Sequence, residues 1–224
     1  MYYPLQHPEI SALFADLLEN LIGESDRGAV LIGAAHVDNH LRRLFEAVFP
    51  SDLSKTKRNA LLNYPGPLST YSAKVEVAYA LRLLPRNVYD ALHALRRIRN
   101  DVAHSPESFV LVGQEERVRQ MYALDPDLPD GIRAFALEMM LDYKVHVIVE
   151  KARELQLDEE YADIEPFLNS KQDAVRFISE HPDLGDSFKQ QLPQWELAVG
   201  IFFLCSMIVF HRDRVASPLQ STLR

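Results

Sequence analysis

Along this chain apolar residues return at intervals of three and four, and strict alternation never persists for a useful length, so the pattern predicts helices and no strand. Residues 8–22 set Ile10, Leu13, Phe14, Leu17, Leu18 and Leu21 on one face of an amphipathic helix. Gly23-Glu24-Ser25-Asp26 breaks the pattern and can cap the next helix, 28–49. Its apolar face is Val30, Ala34, Val37, Leu41, Leu44, Phe45 and Val48, with Asp38 on the flank. Pro50 ends that helix, and a short basic helix, 55–62, interrupts a loop that closes on Tyr64-Pro65-Gly66-Pro67.

Residues 66–109 organise the rest. Ser69 or Thr70 can cap a helix carrying Val75, Val77, Ala78, Leu81 and Leu84. Pro85-Arg86-Asn87 interrupts it, because proline cannot extend the preceding hydrogen-bond ladder, and a second helix runs from about Val88 to His104. On a helical wheel Val88, Leu92, Leu95, Ile98 and Val102 form an apolar stripe from which Arg96 and Arg97 fall away. Arg99 falls within the stripe, four residues after Leu95. The spacing therefore predicts a guanidinium at least half buried and held by a carboxylate, since an unpaired buried charge is costly. Asp38 is the first partner expected and Glu76 the second, while His104 meets the helix end just before Ser105-Pro106.

Beyond residue 104 the chain is irregular to 113, with 109–112 open to a short extended segment, and then helical over 114–122. Asp125-Pro126-Asp127-Leu128-Pro129 is a breaker. The long helix 130–155 is apolar on more than one side, through Ala134, Phe135, Leu137, Met140, Leu141, Val145, Val147 and Ile148, and is expected at the centre of the fold. A helix follows at 170–180, then a turn at His181-Pro182-Asp183 and a short helix; Pro193 opens the last helix, to about Arg214, and a polar tail frays after it. The sum is an all-α bundle of about eight helices: a core segment, 1–109, and a C-terminal helical extension, 110–224, packed with it as one domain.

Composition narrows the class. One cysteine, Cys205, allows neither an internal disulfide nor a cysteine metal cluster, and it reads as an inert buried thiol in a reducing cytoplasm. The opening MYYPLQHPEI lacks a signal-peptide pattern, and the apolar run 198–210 is too short to span a bilayer, so no membrane is expected. A net charge of −8 argues against a simple nucleic-acid binder. The charge is nonetheless uneven: between Arg27 and His104 twelve Lys and Arg face six Asp and Glu. The plain reading is that this basic segment packs on the acidic remainder or merely carries solvated charges; the sharper one is a basic face for RNA or an acidic partner. His36 and His40 stand at metal-ligand spacing without a third ligand, no phosphate-binding glycine loop or nucleophile elbow is present, and no metal or cofactor is expected. Met139, Met140 and Met207 read as core filler, and Glu159, Glu160 and Asp163 as solvated acids.

Several pieces, in order, resemble the mannitol operon repressor family: Gly66-Pro67-Leu68-Ser69, Ser72-Ala73-Lys74, Ala78-Tyr79-Ala80-Leu81, and Ile98-Arg99-Asn100-Asp101-Val102-Ala103-His104-Ser105. The resemblance spans about 28–109 and implies an all-helical cytoplasmic regulator. Arg99 and His104, with Asn100 after the arginine, are also similar to the Arg-x4-His motif of HEPN domains, many of which are metal-independent ribonucleases. That likeness implies a HEPN-like antiparallel core, a homodimer, and a second role for the pair. His104 would shuttle a proton at the ribose or leaving oxygen, Arg99 would neutralise charge on the phosphorus oxygens, and Asn100 and Asp101 would orient them. Two readings stay open: Arg99 paired structurally with Asp38, or Arg99 and His104 catalytic. For a regulator, no helix-turn-helix stands out, so a protein partner is expected rather than tight duplex binding, with RNA ahead of DNA as nucleic acid.

Overall fold

Eight α-helices and no strand make up the described part of the chain: residues 7–105, 108–154 and 182–222 of the computed structural model. They are α1 (Pro8–Ile22), α2 (Asp26–Val48), α3 (Lys55–Leu62), α4 (Tyr71–Ala80), α5 (Arg86–His104), α6 (Glu115–Gln120), α7 (Leu128–Glu154) and α8 (Pro182–Thr222). The architecture is an all-α bundle. The helix read at 170–180 and the acids Glu159, Glu160 and Asp163 lie outside the described residues.

The first five helices follow the periodicity closely. Ser25 caps α2 by accepting from the Gly28 amide, Ser54 caps α3, and Thr70 rather than Ser69 caps α4 through the Ala73 amide. α2 buries Val30, Val37, Leu41, Leu44 and Phe45; α5 buries Val88, Leu92, Leu95, Ile98 and Val102. The loop before α4 is set by Gly66. A Cβ there would stand 2.1 Å from the Ala60 carbonyl oxygen and 2.6 Å from that of Leu61, so no larger residue fits. α4 ends in a Schellman pattern: the Leu83 amide donates to the Ala78 carbonyl and the Arg82 amide to that of Tyr79, with Arg82 left-handed at φ 57°. This turn sends Leu84 into the core and leaves Leu81, read as a core residue, 61% exposed.

The centre belongs to the last helix. α8 is one continuous helix of 41 residues, with Pro193 inside it and a polar end that stays helical to Thr222. Proline removes one hydrogen bond, but from Trp195 to Val209 nearly every residue is buried, and that packing carries the helix through it. α1, α2, α5, α6 and α7 all lie against α8. By length and composition α8 could cross a bilayer, contrary to the reading of its apolar run as too short; 83% of its most apolar window is buried inside this fold. Small residues allow the close approaches: a Cβ on Gly33 of α2 would come within 2.9 Å of Ile201, and one on Gly200 within 2.5 Å of the Tyr122 ring. α7, expected at the centre, buries Ile132, Ala136 and Met140 on one side and leaves Leu137 and Tyr143 exposed. Residues 109–112 form a bend rather than an extended segment; the Leu111 amide donates to Asp26 at 2.6 Å, and Leu111 is buried.

Candidate functional site

α4 and α5 run antiparallel, joined by the Arg82 turn, so the start of α4 lies beside the second half of α5. There α2, the first turn of α4 and α5 enclose a cleft of about 590 Å³. Leu31, Ala34 and Ala35 of α2 give it an apolar wall; Asp38, Ser69, Thr70, Ser72, Arg96, Arg99 and Asn100 give it polar groups. Of the lining residues, Ser69, Ser72, Arg99 and Asn100 fall in the pieces of sequence quoted for the resemblance. Tyr71 closes the floor, its hydroxyl donating to the Leu92 carbonyl at 3.1 Å. Burial, reinforced by the charge of Asp38, holds that phenol well above its usual pKa, so it stays a donor.

The structural ion pair expected here is corrected. Arg99 is exposed, not half buried, and its only hydrogen bond among the described residues is to the Asn100 side chain at 3.3 Å. Asp38 is instead gripped by Lys74 of α4, whose Nζ donates to both carboxylate oxygens at 2.7 and 2.8 Å. The reason is angular. Arg99 lies about 100° round from Ile98, so it projects past the edge of the buried stripe into the cleft. Lys74 sits one residue before Val75 and four before Ala78, inside the buried face of α4, with only 3% of its side chain exposed. The sequence carried a signal for this, a lysine at an apolar register position. Glu76, the second partner expected, accepts from the Tyr89 hydroxyl and faces His93 at 3.2 Å.

The remaining motif residues separate. His104 is exposed at the end of α5 and does not line the cleft. Asp101 turns the other way and pairs with Arg117 of α6. Arg96, read as outside the stripe, lines the cleft beside Arg99, and neither arginine meets a carboxylate among the described residues.

A second groove, of about 680 Å³, lies at the other end of the hairpin, between the Arg82 turn and the end of α8. Tyr79, Arg82, Arg86, His211 and Arg214 line it without a carboxylate, and exposed Leu81 adjoins its turn. Arg86 is not free: it pairs with Asp90 at 2.8 Å and lies over the stacked Tyr79 and Tyr89 rings.

Two ion-pair networks escaped the sequence reading. Glu196, fully buried in α8, accepts from the Tyr122 hydroxyl at 3.1 Å and from Arg133 at 2.7 Å; an acid inside the run WELAVGIFFL was the available signal. Glu9 of α1 gathers Arg43 at 2.9 Å and Arg212 at 2.8 Å, and His40 stands 3.5 Å away without a hydrogen bond at Nδ1. Burial alone would raise the Glu9 pKa, but the bonds and charge of Arg212 and Arg43 hold it below its usual value. Burial pushes His40 down to about 4, against the attraction of Glu9. His36 faces Asp16 at 3.8 Å, so the two histidines serve separate acids, and among the described residues no three metal-type ligands converge. Compared with family models, with curated proteins and with solved structures, the chain matches none.

Proposed function

We propose that this chain is a non-enzymatic cytoplasmic regulator of the mannitol operon repressor type, built on a HEPN-like helical core and acting through a protein partner rather than by gripping duplex DNA. The observation that carries this reading is the divergence of Arg99 and His104. A metal-independent ribonuclease needs its proton-transfer group and its charge-stabilising group at one phosphodiester. Arg99 points into the cleft and His104 to solvent. Of the two residues read as orienting groups, Asn100 accepts from Arg99 while Asp101 is drawn away by Arg117. α5 is also unsuited to a DNA groove, because the helix that begins Arg86-Asn87-Val88-Tyr89 is pinned by its buried stripe. The groove around Arg82 and Arg214, with Leu81 beside it, offers an acidic partner protein both charge and an apolar anchor.

The test is incubation of the purified protein with RNA in the presence of chelator: the RNA stays intact. Cleavage that disappears in both Arg99→Ala and His104→Ala would replace this reading with the ribonuclease. A mobility-shift titration at physiological salt gives no sequence-specific DNA affinity near the roughly 10⁻⁸ M of operator binders. Light scattering, under the same reading, gives twice the 25.6 kDa of one chain.

A further inference from the structure

We infer that the cleft between α2, α4 and α5 binds the phosphoryl group of a small phosphomonoester, held between Arg96 and Arg99. The inference rests on the regulatory reading and names the ligand class that the same site would sense. Arg96 and Arg99 are three residues apart on α5, which brings them to one side of the helix, roughly 5–6 Å apart at Cβ. Like charges at that spacing repel and cost the helix stability, and no carboxylate among the described residues offsets them. The one acid in the cleft, Asp38, is neutralised by Lys74 at 2.7 Å. The cleft thus carries two uncompensated positive charges, which a phosphate dianion matches and a lone carboxylate does not. Two guanidinium forks can divide three phosphoryl oxygens between them, and the Ser69 and Ser72 hydroxyls and the Asn100 amide line the same space for those remaining.

Size and surroundings fix the rest of the ligand. At about 590 Å³ the cleft falls within the range of small-molecule sites, too small for a duplex. Leu31, Ala34 and Ala35 form an apolar wall on which a short carbon body can lie. A single-stranded RNA would need a basic track. The next basic groove begins at the Arg82 turn, at the far end of the hairpin, about 15 Å along α5 from Arg96 to Arg86, with Tyr89, Asp90 and His93 between.

Calorimetric titration of the full chain with inorganic phosphate and with glycerol phosphate, against chloride at matched ionic strength, tests the inference. Both probes bind the wild type, the ester more tightly. Arg96→Gln and Arg99→Gln each weaken binding about tenfold, the loss of one charge-assisted contact, and the double variant shows no heat. Both arginines reach solvent, so these variants keep the wild-type melting temperature. Lys57→Gln, on the exposed side of α3 and lining neither cavity, leaves the titration unchanged. Equal heats from wild type and the Arg96/Arg99 double variant overturn the inference, as does binding of a single-stranded RNA oligonucleotide without binding of either phosphate. An RNA-cleavage assay on the same samples separates the two levels: uncut RNA with no phosphate heat defeats only the ligand, whereas cleavage lost in His104→Ala defeats the regulatory reading.

Discussion

Taking Lys74 and Asp38 away one at a time gives unequal results, and the inequality follows from where each charge sits. Lys74 keeps 3% of its side-chain surface in water and Asp38 keeps 37%. Asp38→Ala strands an ammonium with no access to solvent, which places its cost in the range of about 3–5 kcal/mol found when one partner of a buried pair is removed. Lys74→Met leaves a similar stem in the same slot, so packing survives. The acid left behind reaches water through the cleft mouth, and the cost falls to about 1–3 kcal/mol. Replacing both, as Lys74→Met with Asp38→Leu, removes two desolvated charges together and costs less than Asp38→Ala alone, with a coupling of about 2 kcal/mol or more. Urea melts of the wild type and the four variants Lys74→Met, Asp38→Ala, Asp38→Leu and the double read these numbers directly. Additive single effects, or a Lys74→Met variant less stable than Asp38→Ala, would refute the argument. The Arg99→Ala variant belongs in the same series: with its side chain exposed it melts within about 0.5 kcal/mol of wild type.

Acid destabilises the fold before ordinary carboxylates titrate. His40 is 4% exposed and lowered to about 4, so it stays neutral in the native state while the unfolded chain takes up its proton near 6.5. Its contribution is complete above pH 6.5 and is lost between there and about 4, a total of roughly 3 kcal/mol. Glu9, held low by Arg212 and Arg43, adds a further loss below its ordinary value of 4.5. A His40→Leu variant flattens the upper part of that profile in denaturant melts, and an unchanged profile would dismiss the assignment. Arg82→Gly relieves a left-handed residue at φ 57° and stabilises by about 0.5–1 kcal/mol after the entropy of glycine is counted; a lower melting temperature would count against the strain. Gly200→Ala drives a methyl to within 2.5 Å of the fully buried Tyr122 ring and costs about 1–3 kcal/mol. Gly66→Ala costs more than that, because it meets backbone oxygens at 2.1 and 2.6 Å instead of a ring; a smaller loss at Gly66, in thermal melts of the two, would contradict the turn geometry.

Period alone located α1 to α5 because each has one buried face and clear punctuation, and Lys55–Leu62 came out residue for residue. It misplaced Arg99 because a stripe assignment is good only to the width of the stripe. Arg99 sits about 60° from Val102, close enough to join the wheel pattern, yet beyond the edge where α2 presents the small side chains Ala34 and Ala35. It could not rank α7 against α8 either. Both are apolar on several sides, and which one is surrounded depends on long-range packing that no local period encodes. Pro193 was read as a start signal, which is its usual meaning; here burial on both sides of it outweighs one missing hydrogen bond. The cleft was half legible. Arg99 and Asn100 were picked out and Asp38 was correctly brought alongside α4 and α5, but Arg96 and the Ser69–Ser72 wall depend on how the hairpin meets α2.

The charge asymmetry can now be argued from individual pairs. If the basic stretch 27–104 merely packed on the acidic remainder, its arginines would be tied to acids outside it. Arg43 is, through Glu9, but most acids in the stretch are consumed by neighbours within it. Asp38 goes to Lys74, Glu46 to Arg42, Asp90 to Arg86, and Glu76 to Tyr89 and His93. Asp101 is drawn off by Arg117, a base from outside the stretch. Among the described residues Lys55, Lys57, Arg58, Arg82, Arg96, Arg97 and Arg99 are left with no carboxylate, Arg58 donating instead to the carbonyls of Pro50, Ser51 and Leu53. Lys55, Lys57 and Arg58 lie on α3; the other four fall at the two ends of one hairpin, Arg82 at the turn and Arg96, Arg97 and Arg99 toward the open end. A surplus spread at random would need no explanation beyond solubility. Of the hairpin's four, Arg96 and Arg99 line the cleft and Arg82 the groove, and the one acid in those two linings, Asp38, is held by Lys74; the ligand and partner proposed above would meet uncompensated positive charge at these two ends.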